Sequence, residues 1–443
     1  MHGSTLSGAR PEHMQGTGGE PQSCISFGIR SYCPVVSGFT KNKNNPIFLR
    51  EFPEYCMIRK PVNWIFFLTL LLVLGFVVTP GCTSAPSENS TDASQMRTIT
   101  DTSGRNVTIP HEVTQVVCSS GGTCVRYLVY LDGADTLVGV ESGEHYNATT
   151  GDNRAYVIAN PQFADLPYTG SSSSNSASLE QIIALKPQVI FTMGSASNQS
   201  SEALSSADTM QTKTGIPVIS LATGSLQSDE SKEEMYATYR LLGKVLGKED
   251  RAEQLIAYID ATIADLNNRT KDIPESGQKT AFVGGLSHGG AHGLLSTQSE
   301  YMPFVWNHVK NVANGSGIQG ADFSKEGLIY ADPEFIFVDA GTLGVQDEIS
   351  GIDDIRSPVF ADMKAVKSGN VYTTLPYTSR MTNLETQLVD GYFVGKTVYP
   401  DRFTDIDPKV KADEIYTMFV GEPVFDRLNA RCNYLGFEKV PLS

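Results

Sequence analysis

Apolar residues along this chain keep switching between two periods, and each switch marks an element. From Thr98 to Pro110 they alternate around Asp101-Thr-Ser-Gly104, which predicts an opening hairpin. Short β-rich apolar runs follow at 115–118, 137–140, 189–192 and 218–221, and helical spacing lies between them at 125–131 and 179–185. Strands that alternate with helices predict a parallel sheet. The pattern then turns purely helical. Met235, Tyr236, Tyr239, Leu242 and Leu246 share one face, and Ala252, Leu255, Ile256, Ile259, Ile263 and Leu266 repeat it behind Glu249 and Asp250. The second of these helices, over 249–269, would be roughly 30 Å long. After Pro274-Glu-Ser-Gly277 the α/β pattern resumes, with strands expected at 280–284, 335–339 and 371–374 and helices at 386–396 and 409–419.

One segment occurs twice. Ser178-Leu-Glu180-Gln-Ile-Ile183-Ala-Leu-Lys-Pro187-Gln-Val-Ile190-Phe191 returns 146 positions later as Ser324-Lys-Glu326-Gly-Leu-Ile329-Tyr-Ala-Asp-Pro333-Glu-Phe-Ile336-Phe337, with six of fourteen positions identical. Each copy reads as a short helix capped by Ser, with an acid in its first turn, stopped by Pro and followed by a strand. The duplication predicts an α/β protein of two Rossmann-like lobes, 98–230 and 278–443. A helical connector over 231–277, including the spanning helix, joins them, and a ligand cleft lies between them.

Ahead of this body, Met57-Ile-Arg59-Lys60 precedes fifteen residues, Trp64 to Val78, of which only Thr69 and Gly75 are not strongly apolar. Thr79-Pro80-Gly81-Cys82 follows. A basic start, a short apolar core and small residues before a Cys describe a secretory leader over 57–82, and they make Cys82 the expected lipidation site. Fifteen residues are short of the roughly 20 a membrane span needs. Residues 1–56 lack a sustained apolar period and read as a non-native or disordered extension. The stretch 83–97, rich in Ser, Thr, Asn and Pro, reads as a flexible tether that would anchor the body outside the cytoplasmic membrane.

Charge narrows the partners. The chain carries 34 basic and 49 acidic residues, a net charge of −15, and the segment before Cys82 holds more bases than acids, so the body is more acidic still. Such a surface repels phosphate backbones and excludes nucleic acid as a natural partner. Beyond Cys82 only Cys118, Cys124 and Cys432 remain. Three thiols make no disulfide framework, and free thiols are the expectation, with a Cys118–Cys124 bridge as the alternative.

Leader, Thr-Asp-x-x-Gly-Arg hairpin, the Glu-containing unit in each half and one spanning helix together resemble the solute-binding proteins of ATP-binding-cassette importers, in the group that handles iron-siderophores, haem and cobalamin. The resemblance covers about 98–435. It implies an extracytoplasmic lipoprotein that captures a metal chelate of the iron(III)-siderophore type, with a corrinoid or haem as alternative, and delivers it to a permease dimer. It also implies that Glu180 and Glu326 dock on that permease. Two carboxylates on equivalent faces match a two-fold partner.

Loops that follow strands should face the cleft. They supply Ser120, Gly121, Tyr146, Arg154 and Ser195 on the first lobe and Ser287, His288, Thr342, Tyr377 and Arg380 on the second as candidate ligand contacts. Phenols and guanidinium groups suit a large, partly apolar, anionic chelate. His288 and His292 are four apart, but Gly289-Gly290 between them argues against a helical metal pair, so neither a metal site nor a cofactor is expected. Gly285-Leu-Ser287-His-Gly289 matches a hydrolase elbow, which is the one enzyme alternative. The pattern needs a helix directly afterwards and a distant His late in the chain, whereas the last His is His308, so the chain is expected not to be an enzyme.

Overall fold

The computed structural model describes residues 95–442 apart from 120–121, 148–152, 172–175, 195–200, 289, 345–348 and 380, and apart from the side chains of 146–147, 176, 201–205 and 319. The expected leader, Cys82 and most of the tether lie outside the described residues.

Strands Met96–Thr100 and Asn106–Pro110 pair antiparallel as the opening hairpin. Asp101 fixes its turn. One carboxylate oxygen accepts the amides of Ser103 and Arg105, and the other accepts the Ser220 amide at 3.1 Å and pairs with Arg105 at 3.0 Å. The hairpin is thereby pinned to the first sheet through a buried carboxylate.

That sheet is parallel, in the order Val116–Ser119, Val189–Gly194, Val218–Ala222. The second is parallel too, in the order Lys310–Asn311, Thr280–Gly284, Phe335–Asp339, Val371–Thr374. The two copies of the repeated segment therefore end in separate sheets. The expected strand at 137–140 shrinks to single bridges, Leu137 to Val116 and Val140 to Tyr168. A 3₁₀ turn at Ala134–Thr136 runs directly into Leu137, and by Val140 the backbone has switched partner from the first strand to Tyr168, so no continuous ladder forms.

Both sheets are buried on both faces, which is why their strands read as continuous apolar runs. In the first, Val116, Val189, Phe191, Ile219 and Leu221 point into a core shared by the two lobes, while Val117, Ile190 and Val218 point into a smaller outer cluster. In the second, Ala281, Val283 and Phe337 share the common core and Phe282, Ile336 and Val338 face outward beneath helices. Period-2 side-chain alternation assigns each residue its layer.

Helix Asp229–Leu246 begins at Ser228, whose hydroxyl accepts the Ser231 amide, and ends at left-handed Gly247. Helix Glu249–Thr270, close to the length the sequence predicts, buries Ala252, Leu255, Ile256, Ile259 and Leu266. Near its start Arg251 donates to the Tyr130 carbonyl of the first lobe, and at its end Thr270 meets His308 of the second at 3.0 Å. It is not alone in spanning the lobes. Helices Leu384–Val398 and Pro408–Val420 of the second lobe lean across onto Gly122–Tyr130 of the first. There the Tyr130 phenol donates to Glu385, the Arg126 guanidinium reaches Asn383 at 3.4 Å, and Tyr130 stacks edge-on against Phe419 at 4.9 Å.

Cysteine chemistry departs from expectation. Cys118 and Cys124 form a disulfide, which ties the first strand to the helix after it, and only Cys432 is a free, buried thiol among the described residues. The strand-to-helix turn brings the two Cα atoms to 5.8 Å, within bridging range, and sequence spacing alone does not reveal such a turn.

Candidate cleft between the lobes

Loops from the carboxyl ends of strands in both sheets converge on one open cavity of about 310 Å³. The first lobe supplies Ser225, Leu226 and Gln227, just after Val218–Ala222. The second supplies Ser287 and His288 after Thr280–Gly284, and Tyr377 and Thr378 after Val371–Thr374. Gln298, Met381, Thr382 and Gln387 complete the lining. Carboxyl ends of parallel strands are where open α/β sheets bind ligands. A larger hollow of about 640 Å³ shares Gln227 but is lined by Gln278, Lys310 and Asn311 at the amino ends of the second sheet, which is the wrong end for that role.

The first-lobe wall is built by close packing. Gly224 has φ of +58°, and a Cβ there would lie 2.5 Å from Met235, so only glycine lets the 223–227 loop press onto helix Asp229–Leu246. Ser225 then meets Ser231 at 3.0 Å, hydroxyl to hydroxyl.

The second-lobe floor is polar and buried. The Tyr377 phenol donates to Gln298 Oε1 at 2.7 Å. Asn383 holds the loop after it: its amide nitrogen donates to the carbonyls of Tyr377 and Ser379 at 3.1 and 3.0 Å. Beneath them Asp339 accepts the Gly341 amide at 2.7 Å on one oxygen, while the other has no partner among the described residues. Burial pushes the Asp339 carboxyl up to about 8. Asp390, which accepts the Leu375 amide at 3.0 Å, is also pushed well up, first by burial and then by Asp339. Gly341 has no space for a side chain: a Cβ would lie 2.7 Å from Asp339 Oδ1 and 2.9 Å from Ser287 Oγ.

His288 is half-buried at the rim. Its Nε2 is covered and unpartnered among the described residues, and burial, then His292, lowers its pKa, so the ring is neutral at pH 7. His292 Nε2 meets the His288 carbonyl at 3.0 Å, so the two histidines bond through the backbone and do not converge their ring nitrogens. No group of three or more His, Cys, Asp or Glu among the described residues could hold a metal ion.

Of the contacts expected from sequence, Ser287, His288 and Tyr377 line the cavity. Thr342 does not: it is fully buried, donates to the His292 carbonyl at 2.7 Å and accepts the Gly351 amide at 2.6 Å. Arg154 is likewise a structural group here. Its guanidinium is buried, paired with Glu144 at 2.8 Å, bonded to the Gly143 carbonyl and the Tyr156 phenol, and packed under Gly122. Ser120, Gly121, Ser195, Arg380 and the Tyr146 side chain lie outside the described residues. Residues 225–227 were missed although the strand-end rule that selected the other loops also selects them. Gln298 and Gln387 carry no sequence signal, because a short antiparallel strand and a helix start bring them in.

Glu180 and Glu326 lie exposed in the first turns of Leu179–Leu185 and Lys325–Ala331. The two helices match down to their ends, where Lys186 and Asp332 take left-handed conformations before the prolines. They differ at the start. Ser324 accepts the Gly327 amide at 3.1 Å as the expected cap, whereas Ser178 makes no side-chain cap bond. After Ser287 the described chain runs through loop and the short strand Ser296–Gln298 before its next helix, Met302–Trp306, so the elbow-like pattern lacks the helix that a hydrolase requires.

A family model described as periplasmic binding protein matches residues 119–378. An uncharacterised ABC transporter substrate-binding lipoprotein of Bacillus subtilis, YvrC, is 22% identical over 343 residues, 75% of this chain and 97% of its own. The molybdate-binding protein MolA of Haemophilus influenzae is 24% identical over 341 residues, 73% of this chain and 90% of its own. The solved structure of MolA bound to molybdate superposes with a TM-score of 0.56 at 22% identity, covering 74% of this chain and 98% of that one. Two α/β lobes about a spanning helix, a cleft at their strand ends and a match over more than half its length place this chain in the periplasmic binding protein family, whose members are non-enzymatic solute-binding components of ABC transporters.

Proposed function

We propose that this chain is a membrane-tethered, extracytoplasmic binding protein that takes up a metal chelate of the iron(III)-siderophore type in the cleft and delivers it to the permease dimer of an ABC importer. The observation that carries this reading is the convergence of strand-end loops from both lobes on one open cavity. Its volume lies at the lower end of the range for pockets that bury drug-sized ligands, so a chelate would sit in the mouth with one face exposed. Tyr377, His288 and Met381 would cover a chelate face, and a guanidinium such as that of Arg380, a sequence candidate outside the described residues, would pair with its carboxylate or phenolate oxygens. Glu180 and Glu326 would engage the two permease subunits, and Cys82 would carry the lipid.

A second reading rests on the lining itself. Its described residues include no Asp, Glu, Lys or Arg, and its hydroxyl and amide groups suit a small oxyanion held by neutral hydrogen-bond donors. A molybdate-like oxyanion would fit that set, and one relative is named for molybdate. Fluorescence or calorimetric titration of the body with ferric siderophores, haem, cobalamin and molybdate separates the two. Micromolar binding of a ferric siderophore supports the first reading and selective binding of molybdate the second, whereas binding of neither class removes both.

A further inference from the structure

The helices that carry Glu180 and Glu326 expose more than an acid. Ile183 is 43% exposed and its repeat counterpart Ile329 is 36% exposed, while Ile182 and Leu328, one position earlier, are fully buried. The helices thus have a satisfied inward face and a second apolar residue pointing at solvent. Each isoleucine follows its glutamate by three residues, which puts acid and apolar group side by side on one helix face. In the second copy Tyr330 adds a ring that is 92% exposed, where the first copy has Ala184. Neither glutamate joins an ion pair among the described residues; Glu326 only accepts from Ser324 at 3.2 Å.

What sets these isoleucines apart is the repetition: both equivalent positions leave an apolar side chain partly open to solvent beside the acid, while the inward face of each helix is filled one residue earlier. We infer that each lobe docks through a composite patch of glutamate and isoleucine, extended by Tyr330 on the second lobe, onto a two-fold permease surface that offers a cation beside an apolar hollow in each subunit. This rests on the docking reading given above and adds the apolar half of the contact. Unpaired carboxylates ask for cationic partners, repetition of the patch asks for two equivalent subunits, and a fully exposed tyrosine is the residue type that dominates binding energy at such surfaces.

The test is the affinity of the body for its ABC permease dimer, reconstituted in lipid nanodiscs, measured by surface plasmon resonance alongside thermal midpoints. Tyr330→Ala, and separately the double variant Ile183→Ser with Ile329→Ser, should each bind roughly tenfold more weakly with unchanged midpoints. Val410→Ser, which removes an apolar residue 68% exposed on another helix, should bind like the parent. Parent affinity in the Tyr330 and isoleucine variants, with binding abolished by Glu180→Arg plus Glu326→Arg, would overturn the composite patch and leave the acid docking intact. If the charge reversal is also silent, or the parent does not bind, the docking reading falls and the patch with it.

Discussion

The substitution Asp339→Asn should change how stability depends on pH, because this carboxyl lies buried under the cleft floor with one oxygen unpartnered among the described residues. Burial moves its pKa from an ordinary 3.8 to about 8. The native state therefore holds a proton that the unfolded chain releases above about pH 4. Between those two values the native state binds more protons, so stability falls as pH rises, by about 1.4 kcal/mol per pH unit for this one group. The amide that replaces the carboxyl would be neutral throughout, and its carbonyl can still accept the Gly341 amide. The two proteins should match only below about pH 4, where the group is uncharged in the folded and the unfolded state alike; by pH 5 the variant should be more stable by about 1.6 kcal/mol and by pH 7 by about 4 kcal/mol. Asp390, raised chiefly by its own burial, adds a slope of the same sign in both proteins, so it drops out of their difference. Urea denaturation of the body at pH 5, 6, 7 and 8 reads the difference directly. A constant offset between the two proteins across that range would refute the reasoning, because it would mean that Asp339 is ionised and solvated in the native state.

Other perturbations follow from the same contacts. Gly341→Ala forces a methyl into the space shared by Asp339 and Ser287, and should cost about 1–3 kcal/mol in urea denaturation while weakening whichever ligand the titrations identify. Tyr130→Phe deprives the buried Glu385 of its donor at the seam, for a loss of about 1–3 kcal/mol in the same assay. Reducing Cys118–Cys124, which closes a loop of sequence separation 6, should lower stability by about 2 kcal/mol, visible as a lower thermal midpoint in a phosphine reductant.

The elements were legible in the sequence where one force decided them. The strands at Thr280–Gly284, Phe335–Asp339 and Val371–Thr374 and the helix Leu179–Leu185 coincide with the apolar runs that predict them, because parallel strands buried on both faces leave no other reading of such runs. Helix Ser201–Thr214 escaped, since its low apolar content leaves no periodic stripe. The seam was not legible either. Arg126, Asn383, Tyr130 and Glu385 lie more than 250 positions apart in each pair, and no local pattern records a contact of that separation. The cleft was legible in part: Ser287, His288 and Tyr377 come from strand ends, whereas Arg154 reads like a ligand contact but its charge is consumed by Glu144 ten residues earlier.

The central claim is that one ligand is gripped by both lobes at once, and variants on opposite walls test it most directly. Calorimetric titration of the tightest ligand from the panel against Gln227→Ala, on the first-lobe wall, and Tyr377→Ala, on the second, should show each single variant binding at least about tenfold more weakly. Parent-like affinity in both variants, with the fold intact, would place the ligand elsewhere and contradict the account.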